Sequence, residues 1–339
     1  MRFESWIVDA YLDGLLPVPG PAVQVLLNAY MQAYYWIEPY IGRGLTTIPP
    51  ESEEIAARSR ELMEAHYNLP LAVFQPVLGP SMKYSMGWWM NGTQDLDAAQ
   101  EAMLADVCAK ADIRDGQKIL DIGCGFGSFA EHALRHYPNA RVYGLTLSQT
   151  QADYLRARQA ETGHPLNTDR FYLIQDDFNN VAFDHTFNRI VSLGVFEHIT
   201  NLSKALDKVR SFISDDGRLF LHYIVYVPWP GQCDAPRQDP FVDRYIFPGG
   251  RIWAHTELSR HQQYFALERD WFINGSNYRR TLQAWLANHR AQRSEVRAIS
   301  GLSARQLRLW EFYLRACIAT FNANGGSLYG NGQYLLRPN

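Results

Sequence analysis

The chain has 339 residues, 47% of them hydrophobic and 20% charged, a balance that suits a soluble folded enzyme with a substantial core and excludes a disordered or fibrous chain. A net charge of −3 gives no basic footprint, so no nucleic-acid partner is expected. Cys108, Cys124, Cys233 and Cys317 form no C-x-x-C pair, no metal-ligand set is expected, no run of 18 apolar residues spans a bilayer, and the start lacks a signal peptide; together these predict a cytoplasmic, reduced protein.

Residues 1–50 carry apolar and aromatic side chains at helical spacing, as in "PAVQVLLNAYMQAYYWIEPYIG" (21–42). This predicts a helical piece with one greasy face. That face packs on the main domain, walls a lipophilic pocket or touches a membrane surface; the few flanking Lys and Arg weaken the last reading. "TTIPPESEE" (46–54) reads as a linker, because its prolines break a helix and its Ser-Glu run suits a new start. From residue 95 the periods alternate. "DLDAAQEAMLADVCAKA" is an amphipathic helix and "KILDIG" a buried strand. "SFAEHALRHY" is a helix, "RVYGLTL" a strand, "SQTQADYLRARQAETG" a helix, and "RFYLIQDD" and "FNRIVSLG" strands. "LSKALDKVRSFI" is a helix and "GRLFLHYIV" a strand. Such alternation predicts an α/β fold, a mostly parallel sheet with helices on both faces that binds ligands beyond the carboxyl ends of its strands.

"DIGCGFG" places Gly123, Gly125 and Gly127 at alternate positions directly after a strand, a turn that lets a ligand approach the backbone and then starts a helix. A dinucleotide fingerprint spaces its glycines G-x-G-x-x-G and follows with an acid about 20 residues on. Here that region reads "GLTLSQTQ", without Asp or Glu. A pyrophosphate is therefore disfavoured, and an uncharged or cationic adenosyl group fits. Asp121, just before the glycines, would attract a cation. In "SLGVFEHI", Glu197 and His198 fall at a strand end, where they either brace the next helix or serve a reacting centre.

"LDIGCGFG", with "YSMGWW", "TLSQTQ", "VFEHI", "YIFPGG" and "NYRRTLQAW" in order from about His66 to the C-terminus, resembles the cyclopropane-fatty-acid synthase and mycolic acid methyltransferase superfamily. "DGQKILDIGCG" and the ending "FNANGGSLYGNGQYLL" are also similar to plant coclaurine-type N-methyltransferases. The resemblance implies a class I methyltransferase of Rossmann-like fold, with a seven-stranded sheet and S-adenosylmethionine as cofactor. We expect a helical N-terminal cap over 1–80 and the methyltransferase domain over 81–339, with an insertion at about 228–300 covering the acceptor pocket. By resemblance, Tyr84 and Ser85 touch the methionyl end and the loop glycines lie against the cofactor. Thr146 and Gln151 take the ribose, Gln151 standing for the usual acid, and Asp177 meets the adenine amine. Asp176 competes for that last role, and Asp177 equally suits a helix cap or turn.

On the acceptor side the resemblance implies Glu197 and His198 near the sulfonium methyl. His222, Ile224 and Tyr278 match positions that hold a bicarbonate ion as base in cyclopropane synthases. Met86 replaces the family's cysteine. Coclaurine-type enzymes carry a further Glu where Gly194 stands and a Glu where His222 stands. The leading function is transfer of a methyl-derived carbon to the double bond of a lipophilic acceptor, as cyclopropanation or C-methylation. The alternatives are N-methylation of a bulky hydrophobic amine and a non-catalytic binder of S-adenosylmethionine or lipid. An alkene's attack creates a carbocation to be shielded by aromatic faces, for which Trp88, Trp89, Phe196, Tyr223, Tyr226, Tyr245 and Trp285 are candidates, two or three of them lining the site. A peripheral membrane contact suits a lipid acceptor.

Overall fold

Strands buried on both faces make the centre of the sheet. β1 (Lys118–Ile122), β2 (Arg141–Thr146), β3 (Phe171–Gln175), β4 (Phe187–Leu193) and β5 (Ile213–Tyr226) are parallel, and β6 (Trp253–Ala254), β7 (Phe265–Asn274) and β8 (Tyr329–Pro338) complete the set. The order is β3-β2-β1-β4-β5-β8-β7, with β8 antiparallel to both neighbours and two-residue β6 added to β5. Seven strands on the main path meet the expectation, and β6 makes an eighth. The structure is a computed structural model and describes residues 2–41, 52–90, 92–228 and 240–339. All but residues 52–54 of the expected linker, and Cys233, lie outside these.

The helices, in chain order, are α1 (Arg2–Leu12), α2 (Gly20–Ile41), α3 (Ser59–Leu62), which runs into a π-helical turn at Met63–Tyr67, α4 (Leu71–Leu78) and α5 (Leu96–Lys110). α6 (Ser128–His136), α7 (Gln149–Ala160) and α8 (Leu202–Phe212) link the parallel strands, and α9 (Pro240–Tyr245), α10 (Ser276–Ala291), α11 (Arg293–Ser300) and α12 (Ala304–Thr320) follow β5. Several starts are dictated locally: Asp95, Ser148 and Asn201 accept the free N–H groups of α5, α7 and α8, and Ser303 and Gln306 close a capping box on α12. Two apolar cores form, one on each face of the sheet.

Two regions bear on the domain boundaries expected from the sequence. The stretch 228–300, expected to cover the acceptor pocket, also supplies sheet strand β7, which among the described residues pairs only with β8. Glu268, Arg269 and Asp270 interrupt its apolar pattern, and an edge strand tolerates them because its flank faces water. At the other end, α1 and α2 brace α12. Leu12, Val23 and Phe312 form a small core of their own, and Arg305 reaches Asp9 at 2.7 Å and Asp13 at 2.8 Å.

Candidate active site

A cleft opens beyond the carboxyl ends of β1, β2 and β4, where an open parallel sheet has room for a ligand. Its floor is the glycine turn. Gly123 and Cys124 both donate their N–H to the Leu145 carbonyl at 2.9 Å, which folds the chain tightly off β1. The three glycines do different work. A Cβ on Gly123 would stand 2.2 Å from Val195 Cγ2, and one on Gly127 2.6 Å from Leu155 Cδ2, so both are demanded by packing. At Gly125, with φ of +57°, a Cβ would meet nothing within 4 Å, and this residue lines the cleft. Gly127, expected against the cofactor, is not on the cleft wall; it precedes α6 and lets helix and neighbours close in. Asp121 lines the cleft, and burial raises its carboxyl to about 7, so a cationic guest would restore its charge.

The side of the cleft at the ends of β2 and β3, expected to hold the cofactor, is already hydrogen-bonded. Thr146 Oγ1 donates to Gln151 Oε1 at 2.7 Å, joining the end of β2 to the first turn of α7. Asp177 Oδ1 accepts from the Asn179 N–H at 2.8 Å and its Nδ2 at 2.9 Å, and Oδ2 accepts from Ser59 Oγ at 3.0 Å. Asp177 is thus a turn-former, one of the alternatives its sequence context left open, and it also lines the cleft, as does Asp176. Ser59 belongs to a wall that sequence reasoning missed. Residues 56–67 close the cleft, anchored where Ser148 Oγ donates to the Tyr67 carbonyl at 2.9 Å and the Ala56 and Ala57 N–H groups meet Asn179 and Thr200. The contacts run over 80 residues or more, so no local pattern signals them.

The side beyond β4 and β5, expected to face the acceptor, is built differently. After β4, Gly194 donates to the His222 carbonyl at 2.8 Å, and a 3-10 turn at Phe196–His198 presents Glu197 and His198. His198 lines the cleft with Tyr84 and Ser85, and its Nε2 lies 2.8 Å from Tyr67 OH. Buried His222 and the partly buried Glu197 and Tyr278 lie off this wall. Burial lifts the Glu197 carboxyl to about 8, against the pull of the Glu197 and Ile224 backbone N–H groups, and its Oε2 has no hydrogen-bond partner. Burial drops His66 to about 3 and His198 to about 4, and it holds His222, which also feels Lys83 and Lys110, well below its ordinary value. All three rings are neutral near pH 7. Neither ring nitrogen of His222 has a partner.

Lys83, another residue the sequence did not flag, is fully buried. Its Nζ donates to Ser85 Oγ at 2.8 Å and to the Met86 carbonyl, and burial lowers it to about 7. Around Tyr84 an aromatic group closes in. His66 Nε2 lies 2.6 Å from its OH, and the Trp285 and Trp310 rings are centred 5.3 and 6.4 Å away. Tyr67, Phe247 and Tyr313 pack around His66. Of the aromatics proposed from sequence, Trp285 belongs here. Phe196 and Tyr223 stack in the core on the opposite face, Trp88 lies under Lys110, Trp89 donates to Thr281, and Tyr245 donates to Asp9.

The chemistry of the cleft suits an adenosyl group carrying a cation: hydroxyl, amide and carboxylate groups at the ends of β2 and β3, a bare backbone at Gly125, and a desolvated carboxylate at Asp121. Comparison with known proteins agrees. Residues 55–329 match the mycolic acid cyclopropane synthetase family. The chain is 30% identical over 281 residues, 80% of its length and 77% of the relative's, to a probable (S)-tetrahydroprotoberberine N-methyltransferase 2 of Papaver bracteatum. It is also 30% identical over 268 residues to the cyclopropane-fatty-acyl-phospholipid synthase of Escherichia coli (strain K12), covering 78% of this chain and 65% of that enzyme. A coclaurine N-methyltransferase solved with N-methylheliamine and SAH has the same fold, with a TM-score of 0.81 at 22% identity over 98% of this chain and 99% of that one. The chain belongs to the mycolic acid cyclopropane synthetase family and is a class I S-adenosylmethionine-dependent methyltransferase.

Proposed function

We propose that the enzyme transfers a methyl-derived carbon from S-adenosylmethionine to the double bond of a lipophilic acceptor, as cyclopropanation or C-methylation. The observation that carries this reading is the buried polar group beside the cleft: His222 with two unpartnered ring nitrogens, Glu197 with an unpartnered Oε2, and Tyr278, close enough to Glu197 to feel its charge. Polar atoms left bare in a core cost about 1–3 kcal/mol each unless a guest satisfies them. Lys83 beside His222 favours an anionic guest. His222 and Tyr278 would hold a bicarbonate ion, which would share the Ile224 N–H with Glu197 and supply a base too weakly nucleophilic to be alkylated.

In the cleft we assign Asp121, Gly123, Gly125, Thr146, Gln151 and Asp177 to the cofactor, with Tyr84 and Ser85 at its methionyl end. Bound there, S-adenosylmethionine supplies a methyl group on cationic sulfur. The residues of this chain do the rest. Tyr67, Tyr84 and His198 wall the cleft where the acceptor would meet the methyl group, excluding water and turning ring faces toward positive charge that develops on the acceptor. Glu197 is mostly protonated near pH 7, so it donates a proton to a guest oxygen rather than adding a second negative charge. The exposed apolar side chains of α2 and of the turn before it, Leu15, Val25, Leu26 and Trp36, support a peripheral contact with a lipid surface.

N-methylation of a bulky hydrophobic amine is the second reading, favoured by the fold shared with the coclaurine enzyme over 98% of the chain, N-terminal helices included. Gly194 argues against it, because no second carboxylate stands there to hold a cationic amine. The two readings separate in one assay. For an alkene acceptor, removing bicarbonate, or making His222→Ala or Tyr278→Phe, should lower turnover by about 10- to 1,000-fold with the affinity for S-adenosylhomocysteine nearly unchanged. An active preparation indifferent to bicarbonate, whose rate rises with pH and whose product carries a new N-methyl group, establishes the second reading instead.

A further inference from the structure

We propose that Glu101, His132 and His136 form a binding site for one divalent transition-metal ion, of the zinc, nickel or copper type, on the outer side of the α5–α6 pair. α6 turns Phe129, Ala130, Ala133 and Leu134 into the core. His132 and His136, four residues apart, stand one above the other along a helix edge. Their rings stack with centroids 4.3 Å apart and planes inclined by 28°. Glu101 reaches across from α5, bringing Oε1 to 2.9 Å from His132 Nδ1. One ligand atom from each of the three residues lies within 4.8 Å of the others. Small side-chain rotations would bring all three to a common ion at about 2.0–2.2 Å.

The surroundings already orient these donors. His136 Nδ1 lies 2.9 Å from the His132 carbonyl oxygen, which assigns its proton to that nitrogen and leaves the Nε2 lone pair free. The His132 side chain is 5% exposed and so is held in place, while Glu101 and His136 are exposed, which gives an ion access from solvent. Arg135, the neighbouring cation, is turned to Glu131 at 3.0 Å. Two imidazoles and one carboxylate suit a borderline-soft ion and not Mg²⁺ or Ca²⁺, which prefer all-oxygen shells. Three protein ligands leave the remaining positions to water. Because the pair of histidines sits toward the far end of α6 from Ser128, which lines the cleft, the ion would fasten α6 to α5 without entering the reaction.

The test uses the full-length protein stripped with a chelator and then desalted. Calorimetric titration with Zn²⁺ should show one equivalent bound in the micromolar range, and Co²⁺ should give a visible d–d band. Zn²⁺ should raise the melting temperature by about 2–5 °C, with no effect of Mg²⁺. His136→Ala, at an exposed position where the fold is safe, should weaken Zn²⁺ binding by about 10- to 100-fold and abolish the thermal shift, and Glu101→Gln should weaken it less. Binding of S-adenosylhomocysteine should not change in either variant. The proposal is overturned if the wild type binds no Zn²⁺ at millimolar concentration. It is equally overturned if His136→Ala binds Zn²⁺ unchanged, which would assign the ion to thiols such as Cys317, or if Mg²⁺ binds as well as Zn²⁺.

Discussion

The two sides of the cleft are opposites in how their polar groups are satisfied. On the side we assign to the cofactor Thr146 is bonded to Gln151, and Asp177 holds Asn179 and Ser59, so the surface is set in advance. On the acceptor side Glu197 Oε2, His198 Nδ1 and both nitrogens of His222 are buried with no partner. The difference teaches where specificity is stored. A preformed surface binds one constant cofactor with little ordering cost, whereas bare polar atoms in a core remain costly until a guest of the right chemistry satisfies them.

The largest effect should come from breaking the preformed side at its one open glycine. Gly125→Val would push a branched side chain into the cleft from a backbone with φ of +57°. We expect S-adenosylhomocysteine affinity, measured by calorimetry, to fall by more than about 100-fold (roughly 3 kcal/mol) while the circular dichroism spectrum stays native. Unaltered affinity in a folded variant would remove the turn from the cofactor site. Next, Glu197→Gln strikes the other side. Turnover should fall by about 10²- to 10⁴-fold and cofactor affinity by no more than about 3-fold, under 1 kcal/mol; equal losses in both would mean that the two sides are not separable.

A smaller effect is expected from Thr146→Val, which deletes the hydroxyl that donates to Gln151. Losing that bond and a ligand contact should weaken S-adenosylhomocysteine binding by about 5- to 30-fold, with maximal turnover unchanged at saturating cofactor. The smallest effect is in stability. Glu197 titrates at about 8 when folded against an ordinary 4.5, so between these values the native state holds a proton that the unfolded chain has lost. The contribution of Glu197 to the stability of the ligand-free protein should therefore fall as pH rises from 5 to 8, opposed by the neutral buried His66, His198 and His222 at the lower end of that range and by Lys83 at the upper end. Glu197→Gln should reduce the slope, raising the melting temperature at pH 8 relative to wild type by about 2–5 °C. Asp121, at about 7, leaves a residual slope of the same sign. Identical slopes in the two proteins would show that Glu197 ionises normally.

Much of the site was legible because its residues sit at strand ends, and strand ends can be read from hydrophobic periodicity. Asp121, Gly125 and His198 reach the cleft wall by that route, whereas Thr146, Gln151 and Asp177, which also line it, were pointed to by the family resemblance. Gly127 follows the same pattern yet serves the close approach of Leu155, because the residues of a turn alternate between ligand and core. The aromatic surroundings were read poorly. Phe196 and Tyr223 have the composition of a cation-shielding wall, but the side of the sheet on which each strand faces the acceptor depends on which helices cover it. Tyr67, Phe247 and Trp310 arrive from segments separated by up to 243 residues, since 310 − 67 = 243.

The sequence by itself determined the alternation of strands and helices, the glycine turn and its ligand class, and the identity of the residues at each strand end, because these follow from local period, turn chemistry and backbone sterics. Even H-x-x-x-H at His132 and His136 is a local spacing. Only the tertiary structure decided that Glu101 meets that pair from another helix and that residues 56–67 close the cleft. It alone decided that α1 and α2 lean on α12 and that Lys83 lies beside His222. Each of these joins segments distant in the chain, and the energy that selects them is burial of whole faces, a quantity no short window of residues contains.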